Sequence, residues 1–234
     1  MREIEYKEWR VKMEQYISEQ FKVTFKPMAN SGAVIAGERY RISFLTSRLV
    51  RLEYEEHGRF EDHASQAFWY RQQEVPALEI KETEDIIEAS TEHLRLRYVK
   101  NQPFSGDTLS IELKYSCKIW RYGTEEGQNL KGTARTLDEV NGELQLEKGL
   151  MSRDGYVVID DSKSLVFNES GWLQPRAASG VDCYFFGYGT DYKGCLKDYA
   201  KVSGKTPLIP RFALGNWWSR YWRYSDEELL QLMT

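Results

Sequence analysis

The sequence predicts a mainly β protein: an antiparallel β-sandwich, preceded by a helix and followed by the first strand and helix of a parallel α/β structure. Three observations lead there. Between residues 23 and 187, apolar side chains recur at every second position in short runs punctuated by Gly, Asn and Asp. Residues 6–17 and 192–202 repeat instead at three to four positions. Residues 210–234 then give an apolar run, a loop and a helix start, which is how a strand-helix unit begins.

Residues 1–22 read as an N-terminal helical extension, because Tyr6, Trp9, Met13, Tyr16 and Ile17 fall on one helical face with charges between them. Such a helix either lies against the larger body or docks a partner chain. The sandwich is expected over residues 23–190. In it Val50, Leu52 and Tyr54 alternate with Arg51, Glu53 and Glu55, and His57-Gly58 marks the turn that follows. Further strands are expected at Leu94-Leu96-Tyr98, at Ile111-Leu113-Tyr115, at Leu144-Leu146 after the Asn141-Gly142 turn signal, and at Tyr156-Val157-Val158-Ile159.

Residues 191–209 form a helix and linker: Tyr192, Leu196, Tyr199 and Val202 share a face, Gly204 suits a C-cap, and Pro207 and Pro210 forbid continuation. From 210 to 234, Phe212 to Trp218 reads as a buried strand. Ser225 with Glu228 makes a capping box, and Asp226 and Glu227 favour the positive end of the helix dipole. An isolated helix is marginal below about 12–15 residues. The segment is therefore expected to be the start of a truncated (β/α)8 barrel, and Phe212 to Met233 to be disordered, re-packed or dimer-forming, giving a homo-oligomer.

Composition narrows the function. With 36 acidic and 32 basic residues, a net charge of -4 and no Lys/Arg block, the chain is no nucleic-acid binder. Cys117, Cys183 and Cys195 are widely spaced without a CxxC pair, so neither a disulfide scaffold nor a zinc site is indicated; they read as reduced, packed thiols of a cytoplasmic protein. The start Arg2-Glu3-Ile4-Glu5-Tyr6-Lys7-Glu8 lacks the apolar stretch of a signal peptide, and no run approaches membrane-spanning length. Seven Trp, fifteen Tyr and ten Phe suit both sheet packing and flat contact with sugar C–H faces.

Few residues offer chemistry. Asp160 and Asp161 are adjacent on an extended chain and point to opposite faces, so they serve a turn better than a shared acid-base task. Glu61-Asp62-His63 lacks the spacing of a metal site. His57 and His93 have no nucleophile motif, and neither a GxSxG elbow nor a phosphate-binding glycine loop occurs. No catalytic residue, metal site or cofactor is expected within these residues. What remains is the aromatic and basic cluster Trp217, Trp218, Arg220, Tyr221, Trp222, Arg223 and Tyr224, which crosses from a strand end into a loop. On a barrel such a loop opens at the substrate face.

The run Asn129-Leu130-Lys131-Gly132-Thr133-Ala134-Arg135-Thr136-Leu137-Asp138, followed by Ser152-Arg153-Asp154-Gly155-Tyr156 and Asp160-Asp161-Ser162, resembles the N-terminal region of glycoside hydrolase family 31, the α-glucosidase and α-xylosidase family. Gly171-Trp172, Asp182-Cys183-Tyr184-Phe185-Phe186-Gly187-Tyr188-Gly189 and Pro210-Arg211-Phe212-Ala213-Leu214-Gly215-Asn216-Trp217-Trp218-Ser219-Arg220-Tyr221 continue the likeness in the same order, over residues 24–234. The resemblance implies a galactose mutarotase-like sandwich ahead of a barrel that cleaves α-linked glucosides or xylosides with retention. Two aspartates of later barrel strands do that work, and nothing here matches them, so Asp160 and Asp161 inherit no role. It also implies that the sandwich lends a loop to the pocket rim and that Tyr221 and Trp222 meet the sugar. Arg220 matches an arginine with a structural or a sugar-binding role. The rival readings are a free-standing carbohydrate-binding or protein-docking sandwich and a mutarotase-like epimerase; the latter needs an acid/base pair that the three His do not supply.

Overall fold

The computed structural model describes residues 23–125, 127–134, 136–137, 139–177, 179–206, 208–216 and 222–233. The helix predicted over residues 1–22 lies outside them. The described chain falls into two compact units, divided between Gly204 and Lys205.

The first unit holds two five-stranded antiparallel sheets and is the sandwich the sequence predicts. Sheet A is ordered β1 (Val34–Ala36), β2 (Tyr40–Phe44), β3 (Leu49–Tyr54), β12 (Val181–Phe186), β9 (Val157–Asp160). Sheet B is a meander of β4 (Glu79–Glu82), β5 (Ile86–Ser90), β6 (Leu94–Val99), β7 (Leu109–Leu113) and β8 (Lys118–Arg121). A small hairpin, β10 (Val166–Phe167) and β11 (Leu173–Gln174), stands apart.

The two sheets use the period of two differently. In β6, Leu94, Leu96 and Tyr98 are buried while Arg95 and Arg97 are exposed, so sheet B covers one face only. In β3 every residue is buried, and in β12 all but Val181, because sheet A is covered on both sides. Its inner face meets sheet B through a core that includes Ile42, Val50, Leu52, Phe185, Ile87, Leu96, Ile111 and Trp120. Ring contacts tie the layers together: Trp120 lies 5.1 Å from Phe185 and Tyr40 lies 5.0 Å from Tyr98.

The outer face of sheet A carries a second cluster of Leu45, Leu49, Phe68, Tyr184, Phe186, Tyr188, Cys195 and Val202. Its last two members come from helix α1 (Tyr192–Ser203). The Asp191 side chain caps α1 at Gly194 N, and Gly204, at φ 96°, ends it with its N–H on Ala200 O. Val202 is buried as expected, whereas Leu196, expected on the same face, is exposed and Cys195 turns inward in its place.

Within this unit one expected strand does not form and another ends early. Leu144-Leu146 forms no strand although Gly142 makes its turn at φ 100°. The described residues between 122 and 156 lead from β8, an edge of sheet B, to β9, an edge of sheet A, and form no ladder with either edge. Instead, Leu130 N bonds Met151 O, Gly132 N bonds Glu147 O, and the Asn129 side chain clamps Lys131 N and both backbone groups of Gly149. Tyr115 lies past the end of β7, exposed in the β7–β8 turn, where Cys117 takes φ 54°. Cys117 is accordingly exposed rather than packed, while Cys183 and Cys195 are buried.

In the second unit, residues Arg211–Leu214 wind into one 3-10 turn rather than the first part of a strand. Among the described residues no strand lies beside them, so their backbone groups bond locally, Ala213 N to Pro210 O and Gly215 N to Phe212 O. Helix α2 (Asp226–Met233) follows. Its start is the predicted capping box: Ser225 N donates to Glu228 Oε2 at 2.9 Å, and Glu228 N donates to Ser225 Oγ at 3.2 Å.

Candidate functional site

The outer face of sheet A changes character along its strands. At one end Leu49 pairs with Phe186, inside the second apolar cluster. Two residues along, Ser43, Arg51 and Tyr184 form a cross-strand row, and two further on Arg41, Glu53 and Asp182 form the next. Because alternate residues share a face, one apolar-polar register places the charges of three strands side by side.

Those charges are buried and paired. Arg51 donates to Asp182 through Nε at 2.8 Å and Nη2 at 2.7 Å, and its Nη2 also lies 3.0 Å from Glu53 Oε1. Arg176, from the loop after β11, reaches both Asp182 at 2.7 Å and Asp161 at 2.8 Å. Arg41 grips Glu53 bidentately at 2.7 and 2.8 Å and adds Asp62 at 2.6 Å. Arg71, fully buried, donates through Nε to the Tyr184 hydroxyl at 2.7 Å.

Burial on its own would raise the pKa of Asp182, but the charges of Arg51, Arg71 and Arg176 outweigh it and hold this carboxyl well below its usual range. Asp161 goes the other way, pushed up by burial and by the neighbouring Asp182 charge, with Arg176 offsetting only part. A cleft of about 280 Å³ opens above the network, lined in part by Glu55, Arg59, Phe60, His63 and Gln174. With its carboxylates committed to guanidinium groups, this arrangement ties Glu61, Asp161 and Arg176 to the sheet; it is poorly suited to proton transfer.

The sequence candidates fall as follows. Asp160 and Asp161 do face opposite ways: Asp160 Oδ1 accepts from Ser162 N in a turn, whereas Asp161 is buried on Arg176, a role the turn reading did not include. Glu61 and His63 bond each other at 2.7 Å and Asp62 bonds Arg41. Among the described residues no group of three or more His, Cys, Asp or Glu is placed to hold a metal. His57 N donates to Glu55 Oε2. His93 Nδ1 lies 3.0 Å from Ser47 Oγ, a neighbour sequence spacing could not reveal; burial and Arg48 lower its pKa.

Burial pushes the Cys195 thiol up to about 12, which suits packing rather than reactivity. No helix among the described residues is long and apolar enough to cross a membrane. Arg220 and Tyr221 lie outside the described residues, as do Trp217 and Trp218. Trp222 is described: it is 60% exposed in the irregular segment before α2.

The residues missed by sequence reasoning are Arg51, Glu53, Asp182 and Arg176. Asp182, an acid inside the otherwise apolar run Val181-Asp182-Cys183-Tyr184-Phe185-Phe186, was the available signal. A charge flanked by residues of a doubly covered strand must have a buried partner.

No family model matches this chain, and neither does any curated protein. Solved structures do. The fold is similar to part of a dextranase of glycoside hydrolase family 31 from Flavobacterium johnsoniae, solved with isomaltotriose, at TM-score 0.50 and 19% identity, over 82% of this chain and 30% of that one. An α-xylosidase of the same family from a soil metagenome matches at TM-score 0.48 and 14% identity, over 85% of this chain and 36% of that one. The cycloalternan-forming enzyme of Listeria monocytogenes gives 0.47 and 14%, over 81% and 23%. This chain thus spans about 30% of the length of the dextranase it matches.

Proposed function

We propose that these residues form the N-terminal β-sandwich portion of a retaining α-glycosidase of glycoside hydrolase family 31, acting on α-linked glucosides or xylosides in the cytoplasm. The observation that carries this reading is the fold: 82% of the chain follows part of the dextranase, and the ordered motifs of the sequence agree with it. The domain organisation that follows is a helical extension over 1–22, a sandwich over 23–190, a helix and linker over 191–209 and the start of a barrel over 210–234. Hydrolysis belongs to two barrel aspartates working by double displacement. The sandwich supports that barrel and the rim of its sugar pocket, and Arg220, Tyr221 and Trp222 bind substrate, the rings against the sugar's C–H face.

This reading gives the 234 residues alone no hydrolytic activity. Assayed on 4-nitrophenyl α-glucoside and α-xyloside, they should release no nitrophenol, whereas the same residues extended by a barrel should release it with retention of the α configuration. Appreciable turnover by the chain alone overturns the assignment. So does clear calorimetric affinity for maltose, isomaltose or nigerose without a barrel, which would mark a free-standing carbohydrate-binding sandwich.

A further inference from the structure

The sequence holds one Asn-Gly pair, Asn141-Gly142, and one Asp-Gly pair, Asp154-Gly155. In such pairs the backbone nitrogen of the glycine reaches the preceding side-chain carbonyl with least obstruction, because glycine has no Cβ and few forbidden dihedrals. The fold treats the two pairs in opposite ways.

Asn141, Gly142 and Glu143 are all exposed. Among the described residues the Asn141 carboxamide has no hydrogen-bond partner, and no N–H between 141 and 146 donates to a backbone carbonyl. A Cβ built on Gly142 would meet nothing within 4 Å. Electrophile and nucleophile are both unencumbered, and the turn changes its dihedrals without giving up a backbone hydrogen bond. The ties lie to either side, Val140 N on Leu137 O and Gly132 N on Glu147 O.

Asp154-Gly155 is locked. Gly155 N donates to Ser152 O at 3.2 Å, and the Tyr115 hydroxyl packs on the glycine. The Asp154 carboxylate accepts from Lys118 Nζ at 2.7 Å and from Gln128 N at 2.9 Å. A carboxylate held ionised by an ammonium group is a poor target for a nucleophile.

We propose that Asn141 is a self-modification site, converted within the folded protein to aspartate or isoaspartate through a cyclic imide formed with Gly142. Gly142 N gives its proton to hydroxide and bonds to Asn141 Cγ; the Cγ–Nδ2 bond breaks, and the nitrogen takes a proton from water and leaves as ammonia. Water then opens the five-membered ring. Opening at Cγ leaves aspartate, and opening at the main-chain carbonyl leaves isoaspartate, with one more methylene in the backbone. Nothing is oxidised or reduced. Either product adds a negative charge between Glu139 and Glu143. Because no described residue from 136 to 146 is buried, the sandwich keeps its stability.

The full chain, incubated in warm, mildly alkaline buffer with and without urea, is digested with trypsin and followed by chromatography and mass spectrometry. Peptide 136–148 should gain about 1 Da in two separable products, at a rate within about threefold of that in urea. Peptide 154–163 should isomerise at least about tenfold more slowly folded than in urea. Asn141→Gln should stop the conversion, since its ring would be larger, and Gly142→Ala should slow it at least about tenfold, in urea as in buffer. The urea midpoint of the converted chain should match that of the fresh one. A folded rate for peptide 136–148 more than about threefold below that in urea, a single product, equal protection of the two peptides, or Gly142→Ala reacting at the parent's rate would each overturn the proposal.

Discussion

Replacing Asp182 by alanine strips the acceptor from two buried guanidinium groups at once. Three charge-assisted bonds are lost, from Arg51 Nε and Nη2 and from Arg176 Nη1, all between 2.7 and 2.8 Å. Arg51 retains Glu53, and Arg176 retains Asp161, so neither cation is wholly abandoned. Removing one partner of a buried ion pair costs about 3–5 kcal/mol, chiefly because the charge left behind stays desolvated. At about 2–4 °C per kcal/mol for a chain of this size, the thermal midpoint should fall by about 6–20 °C. Urea unfolding followed by circular dichroism gives the free energy, and calorimetry the midpoint. The double variant Arg51→Met/Asp182→Leu removes charge from both sides and should recover at least about half the loss, since a well-packed apolar pair can replace a buried ionic one. A loss below about 1 kcal/mol for Asp182→Ala would refute the reasoning, because that is the worth of a solvent-exposed pair.

The two buried aspartates have opposite pH signatures. Asp182, lowered in the fold, contributes stability that is present above the unfolded carboxyl value of about 3.9 and is lost as pH falls through its folded value. Asp161, raised in the fold, costs stability as pH rises from about 3.9 through its folded value, so Asp161→Asn should be less damaging at neutral pH than at about pH 4, as urea midpoints across that range will show. Asn129→Ala removes the clamp on Lys131 and Gly149; limited trypsin digestion should then cut faster at Lys131 and Lys148 while the global midpoint barely moves. In a barrel-bearing parent, Trp222→Ala should lower kcat/KM about tenfold mainly through KM, measured on a nitrophenyl α-glycoside.

What could be read from the residues follows from which faces water reaches. Leu94, Leu96 and Tyr98 announced β6 correctly because Arg95 and Arg97 do meet solvent. The same alternation in Val50-Arg51-Leu52-Glu53-Tyr54 concealed a buried ionic row, since periodicity reports a change of face and is silent about what covers the second one. Arg51 and Asp182 are 131 residues apart, beyond any local pattern. The capping box of Ser225 and Glu228 is a four-residue matter and was fully legible. Leu144-Leu146 had the right residues and turn but pairs with no strand, and Phe212-Ala213-Leu214 took a local 3-10 turn. Strands depend on partners that a local pattern does not name.

The place of β12 sets the order in which the sandwich can be made. Sheet B is a run of consecutive hairpins and can close as soon as its residues have emerged from the ribosome. Sheet A cannot, because β3 waits for Val181–Phe186 to fill the gap between it and β9. The edge of β3 that β12 covers carries Arg51 and Glu53, charges of the kind that discourage pairing at an open strand edge. In the finished sheet Asp182 on β12 is the partner that lets Arg51 be buried there.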